Sequence, residues 1–404
     1  MKKSYYPFLL LICVTVLVGV VGVIARTYDL HFPNERIFDE VYFPVFANDY
    51  LTRTAFFDVH PPFGKWLIAI GMFIFKDNPL GWRIIPAIFG LAIVPLFALI
   101  SLKQNKSVVS AVIMFALLSV ETILISYSRS GLMDGILFFF IFACWLYTLR
   151  VTKPKQLIWL AVLLGLTFSI KWMALGVLAP IGYIMWRKKM LWRFILSLTI
   201  TVVIYQAFVM LGQAIIASSN PWLDGWYWNQ HAWNYHLTLT ATHPWGSQWW
   251  TWPLLTRPVL FYFNEDSGGV TRLITAIGNP LVWWTSGLAV IWSVIYLMWQ
   301  RFRLKLSIAD HVLTPLLIGF FAFWLPWMPI KRVLFNYHYL PAYGMALLIL
   351  GYWLNIVWHK QPWLCLLIVI ILLSSGLYFI PWGTGTGLSH FWLARHVWVN
   401  SWLY

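Results

Sequence analysis

Apolar runs of roughly 17 to 20 residues, the length that crosses about 30 Å of hydrocarbon, recur at 8–25, 84–102, 107–125, 132–149, 156–170, 172–186, 194–216, 281–299, 312–328, 340–358 and 363–380. The pattern predicts an all-α integral membrane protein with about eleven transmembrane helices. Runs 156–170 and 172–186 are divided only by Lys171 and read either as a hairpin with a very tight turn or as one long buried helix. The first run follows Met1-Lys2-Lys3 and reads as a retained signal anchor, because so many spans come after it.

The polar segments between the runs set the orientation. Lys103 and Lys106, then Arg150, Lys153 and Lys155, then Arg187, Lys188, Lys189 and Arg193, then Arg301, Arg303 and Lys305 occupy alternate short loops. Positively charged short loops stay in the cytoplasm, so these loops and the N-terminus are inside. Segments 26–83, 126–131, 217–280, 329–339 and 381–404 are then outside. Of the 13 Asp and Glu residues, Asp310 alone falls in an inside loop.

Composition agrees, with 61% of residues hydrophobic, 10% charged and a mean hydropathy of +0.74. The formal charge of +15 is that of a positive-inside membrane protein and argues against a nucleic-acid partner. Cys13, Cys144 and Cys365 sit within predicted spans without metal-ligand spacing, so no disulfide is expected. No repeat or polar linker marks a soluble domain, and residues 1–404 read as a single transmembrane domain. Outer segment 217–280 is dense in Trp and His, the composition of an interfacial belt or of a lid over a substrate.

The candidate chemistry gathers outside, with loop 26–83 as the catalytic loop. Asp39-Glu40 lies in an otherwise apolar stretch, and ionisable groups at a membrane edge are costly enough to suggest function. In Asp58-Val59-His60-Pro61-Pro62-Phe63-Gly64-Lys65 two prolines stiffen the chain and fix where His60 and Lys65 point. Arg83, Arg129, Lys171 and Lys331-Arg332, the last just before Tyr337-His338-Tyr339, add positive charge on the same side. A lipid-linked phosphate would satisfy such a set. Asp134 is expected to pair with Arg129 or another cation.

Phe38-Asp39-Glu40-Val41-Tyr42-Phe43 and the Asp58 to Lys65 unit resemble the first-loop signature of protein O-mannosyltransferases, membrane enzymes of the GT-C glycosyltransferase fold. The likeness continues in order through Trp82 to Ala87, Ser128 to Asp134, Lys171-Trp172, His243 to Leu254, Gly278-Asn279-Pro280 and Tyr337 to Ala342. Segment 217–280 is too short for the β-trefoil MIR domains of eukaryotic members, so the chain looks like the compact bacterial form.

The resemblance implies a polyprenyl-phosphate mannose donor held at the membrane lipids. It implies Ser or Thr acceptors on secreted proteins leaving the Sec translocon, and transfer at the cell membrane's outer face. Asp39 is expected to act as general base, with Glu40 orienting the acceptor or raising the Asp39 pKa by like-charge repulsion. Lys65, Arg83 and Arg129, then His60, Lys171, Arg332 and His338, are expected to hold the donor phosphate. Asp39, Glu40, Asp49 and Asp58 offer the oxygen ligands that Mg²⁺ or Mn²⁺ take, but no Asp-x-Asp pair is present and the resemblance points to a metal-independent centre without a cofactor. The rival reading is a related GT-C transferase that moves aminoarabinose or another sugar to lipid A or another envelope acceptor.

Overall fold

The computed structural model describes residues 2–309 and 311–403; Asp310, the one acid expected inside, lies outside them. Helix α1 (Lys2–Thr27) leads into an outer segment that holds a short 3-10 turn, Phe38–Val41, then α2 (Phe43–Thr52) and α3 (Phe63–Phe75). Next come α4 (Pro79–Asn105), α5 (Val108–Ser119), α6 (Thr122–Ser128), α7 (Met133–Arg150) and α8 (Gln156–Phe168). After a 3-10 stretch, Trp172–Val177, follow α9 (Leu178–Arg187), α10 (Leu191–Ile215) and α11 (Pro221–Thr238). A hairpin of β1 (Leu260–Glu265) and β2 (Val270–Thr275) precedes α12 (Pro280–Phe302), α13 (Leu313–Trp324), α14 (Leu340–Lys360) and α15 (Pro362–Thr384). β3 (Leu388–Ser389), α16 (His390–His396) and a 3-10 turn, Asn400–Trp402, follow.

Every apolar run falls on helix, but the count of eleven spans does not follow. Among the described residues 7 helices are long and apolar enough to cross a membrane, or 8 if α5 and α6, bent by 61°, make one broken span. Helix α8 has 13 residues, only about 20 Å at 1.5 Å per residue, and run 172–186 begins as a 3-10 turn before the 10-residue α9. Lys171 itself is extended, so the two runs are not one helix.

Loop 26–83 also contains more structure than the hydrophobic pattern predicts. Helix α3 is apolar but 13 residues long, too short to register as a span, and Pro61-Pro62 before it and Lys65 within it broke the run. The mostly helical fold also carries a small antiparallel sheet of β1, β2 and β3 in that order. Asp266-Ser267-Gly268-Gly269 supplies its turn, with the Asp266 Oδ1 accepting from Gly268 and Val270 N–H at 2.9 Å each.

Local chemistry fixes the bundle around the outer end of α6. Asn78 caps α4 through the Gly81 N–H at 3.1 Å, with Pro79 in the first turn. Where α5 ends at the bend, its last carbonyls lack intrahelical partners. Arg26 at the end of α1 donates to two of them, Ser119 O at 2.6 Å and Leu118 O at 2.7 Å. That contact needs close packing: a Cβ on Gly22 would stand 2.4 Å from Ser119 O. Helices α7 and α14, with 67% and 78% of their spans buried, form the centre on which the site is built.

Candidate active site

Asp39 sits in the 3-10 turn after a residue in the left-handed region, Phe38 at φ 48°. A bulky side chain rarely adopts that conformation unless packing holds it there. Phe261 of β1 stacks on Phe38 at 4.7 Å and 15°, and Phe335 and Tyr337 meet its edge at 6.4 and 6.2 Å. Half-buried as a result, the Asp39 carboxylate has no hydrogen bond or ion pair among the described residues. Burial pushes its pKa up to about 7, with Lys171 pulling it down and Asp134 and Asp58 adding to the rise.

Its neighbour Glu40 is fully buried and fully engaged. Arg83 Nε and Nη2 donate to its two carboxylate oxygens at 2.8 and 2.7 Å. The Gly131 and Ile37 N–H groups add bonds at 2.6 and 3.0 Å. Arg83 spends its remaining donors on Leu30 O at 3.1 Å, Pro33 O at 2.8 Å and Glu35 O at 2.9 Å. All five guanidinium N–H bonds are thus taken, which corrects the expectation that Arg83 clamps a phosphate. It also corrects the role expected of Glu40, whose carboxylate is turned into the protein and is not among the charges that shift Asp39.

Two more expected phosphate ligands prove to be anchors. Lys65 bonds the Asp58 carboxylate, His60 O at 2.6 Å and Pro61 O at 3.1 Å, so its ammonium has no donor left and instead closes the loop that carries His60. Arg129 holds the chain after α1 through Ala25 O at 3.2 Å, Tyr28 O at 2.6 Å and Asp29 O at 3.0 Å. The sequence pattern assigns these cations to one side; only the fold gives their partners.

The cation whose charge reaches Asp39 is Lys171, and Arg332 acts on the neighbouring His60, His236 and His338. Lys171 sits between the rings of Phe43 and Tyr337, 5.2 and 5.8 Å from their centres, and bonds both Asp134 oxygens at 3.0 and 2.9 Å. Asp134 therefore pairs with Lys171 and not with Arg129. Arg332 is half-buried with no hydrogen bond or ion pair among the described residues.

Imidazoles complete the wall. His60 lies 6.1 Å from His236 of α11, which in turn lies 5.9 Å from Trp172. Burial holds His60 well below the usual histidine value, helped by Lys171, Lys65, His236 and Arg332. Burial and Arg332 lower His236 to about 4. His338 bonds the Phe335 backbone through Nδ1 and packs against Trp327 at 4.3 Å and Trp252 at 5.9 Å. His236 was absent from the sequence-based set, where it merged into the aromatic segment. Yet Trp228 and Ala232 are buried residues of α11, and His236 continues their stripe at intervals of four, a periodicity legible in the sequence.

Among the described residues no group of three His, Cys, Asp or Glu side chains is placed to hold a metal ion. Glu40, Asp58 and Asp134 are each tied to a cation. Among the described residues the arrangement therefore offers one unpaired carboxylate within reach of the Lys171 charge, with Arg332 set among neutral imidazoles beside Lys171, which suits proton removal beside a developing anion.

Comparison with known proteins identifies the family. The model "Dolichyl-phosphate-mannose-protein mannosyltransferase" matches residues 16–82 and 72–220, and "C-terminal four TMM region of protein-O-mannosyltransferase" matches 221–402. The chain is 24% identical to the polyprenol-phosphate-mannose–protein mannosyltransferase of Mycobacterium tuberculosis over 85% of this chain and 81% of that protein. To its Mycolicibacterium smegmatis counterpart it is 25% identical over 78% and 75%. The Saccharomyces cerevisiae Pmt1–Pmt2 complex bound to the sugar donor superposes with a TM-score of 0.85 at 16% identity, covering 97% of this chain and 92% of that one. ArnT from Cupriavidus metallidurans bound to undecaprenyl phosphate gives 0.58 at 13% identity, covering 94% and 74%. The fold is thus the GT-C glycosyltransferase fold, and with both halves of the chain matched, the protein belongs to the protein O-mannosyltransferase family.

Proposed function

We propose that this multi-pass membrane protein transfers mannose from a polyprenyl-phosphate mannose donor to Ser or Thr hydroxyls of protein acceptors, with Asp39 as general base. The observation that carries the assignment of the base is that, among the described residues, Asp39 keeps a free carboxylate while Glu40, Asp58 and Asp134 are paired with Arg83, Lys65 and Lys171. As the acceptor oxygen bonds to the anomeric carbon, its proton passes to Asp39 and the bond from that carbon to the phosphate oxygen breaks. A lipid phosphate leaves already ionised, so the second carboxyl that a glycosidase needs as acid is unnecessary. Single displacement inverts the anomeric centre.

Lys171 and Arg332 are placed to stabilise charge gathering on the phosphate, Arg332 through two hydrogen bonds and Lys171 as a point charge. His60, His236 and His338 line the same wall as neutral donors. The alternating basic loops support a site on the non-cytoplasmic face of the cell membrane with the N-terminus inside, where acceptors leaving the translocon are accessible. The engaged state of the acids supports a centre that works without metal. Its likeness to ArnT extends to the fold, whereas both family models concern mannosyl transfer to protein.

The test is transfer from synthetic polyprenyl-phosphate mannose to a single-Thr peptide by purified protein, with EDTA in a parallel sample. Activity surviving chelation and an inverted product are expected. Transfer of aminoarabinose to lipid A with none of mannose to peptide would overturn the proposal.

The pH profile should carry the mark of Asp39. A base with a pKa of about 7 makes kcat/KM rise with pH up to about 7 and then level off. Lys171 lowers that pKa by its charge, so Lys171→Met should move the rising limb to higher pH. An unmoved limb in the variant would show that another group titrates.

A further inference from the structure

β1 has a neighbour on one side only, since the sheet runs β1-β2-β3. The Asp266 N–H donates to Val270 O at 3.1 Å and sets the phase of the ladder with β2. With partners Asn264↔Arg272 and Tyr262↔Ile274 in the same phase, the N–H and C=O groups of Phe263 and Glu265 point away from β2. No backbone bond from outside the sheet meets residues 260–265 among the described residues. An open edge of this kind is a template for another strand, and proteins ordinarily blunt it. Here Phe263 stands 49% exposed at its end.

Where the edge lies matters. Phe261 of this strand stacks at 4.7 Å on Phe38, the residue directly before Asp39, and also meets Tyr127 at 5.5 Å. The strand therefore runs from solvent to the turn that carries the base.

We infer that the free edge of β1 docks the acceptor polypeptide as an added, extended strand and so brings a Ser or Thr side chain to Asp39. Backbone hydrogen bonds supply the hold, and side chains alternate between the two faces. Recognition is then largely independent of sequence but demands an unfolded segment with its hydroxyl in one phase. The inference rests on the acceptor being a polypeptide, as proposed above.

A scan of single-Thr peptides, each N-methylated at one backbone position, tests this with unaltered protein. Methyl groups on N–H bonds that face β1 should raise KM about three- to tenfold, the worth of one net hydrogen bond; those facing away should not, giving a period of two. As a protein-side counterpart, Phe263→Pro removes an outward N–H where proline is tolerated and should raise KM with kcat kept. A flat scan overturns the inference while leaving the transfer reaction standing. A flat scan with dimers that Phe263→Pro abolishes would instead assign the edge to a second copy of the chain. No transfer to the unmethylated peptide would remove the proposed reaction, and the docking inference with it.

Discussion

Asp39→Asn should yield a folded protein that still binds the lipid donor but transfers mannose slower by a factor of about 10²–10⁴, the usual share of general-base catalysis. The amide has the shape of the carboxylate and cannot take the proton. No structural hydrogen bond is lost, because the Asp39 carboxylate makes none among the described residues. Stability should even improve on the alkaline side. An acid whose folded pKa is raised from 3.8 to about 7 binds protons more tightly when folded, so it costs stability as pH rises through that range and most above 7. The variant escapes that cost: its melting temperature should exceed wild type at pH 8 and match it near pH 4. Equal turnover in the variant, measured at saturating donor, would remove Asp39 from the mechanism.

Arg83→Met should fail for a different reason. The change leaves Glu40 charged, fully buried and facing a thioether, and strips three carbonyls of their donor. Breaking a buried pair from one side costs about 3–5 kcal/mol, a large part of the 5–15 kcal/mol typical of a whole domain. Melting in detergent should drop sharply, with loss of activity following loss of fold. Glu40→Leu combined with Arg83→Met should recover part of the stability, since neither charge is then stranded. Had Arg83 held phosphate, the single variant would instead keep its melting temperature and lose donor affinity; that outcome would reverse the assignment.

These contrasting roles explain what the sequence could and could not convey. The apolar runs located each of the 7 helices long and apolar enough to span a membrane among the described residues, since crossing hydrocarbon constrains composition directly, and the position of Asp39 within Phe38-Asp39-Glu40-Val41 marked it as costly. The resemblance pointed to Asp39 as the base, but that Glu40 is tied inward required its partner, and Arg83 is 43 positions from Glu40. Lys171 and Asp134 are 37 apart, joined only once α7 packs beside the 3-10 stretch after Lys171. Charge type was legible, whereas pairing was tertiary. The sheet is another matter: strand-forming LFYFNE and VTRLIT flank an Asp-Ser-Gly-Gly turn, a local signal hidden by the surrounding tryptophans.

The Arg83 anchorage also limits how the protein can move. Its guanidinium ties the 30–35 segment to α4 while Glu40 ties the 3-10 turn to Gly131, so the base stands on a stationary jaw. Across from it, α11 is fastened by few buried residues, Gly225, Trp228 and Ala232, and Arg332 rides on an irregular stretch. The base is therefore the more firmly anchored side of the site, and the wall that faces it is held by fewer buried residues.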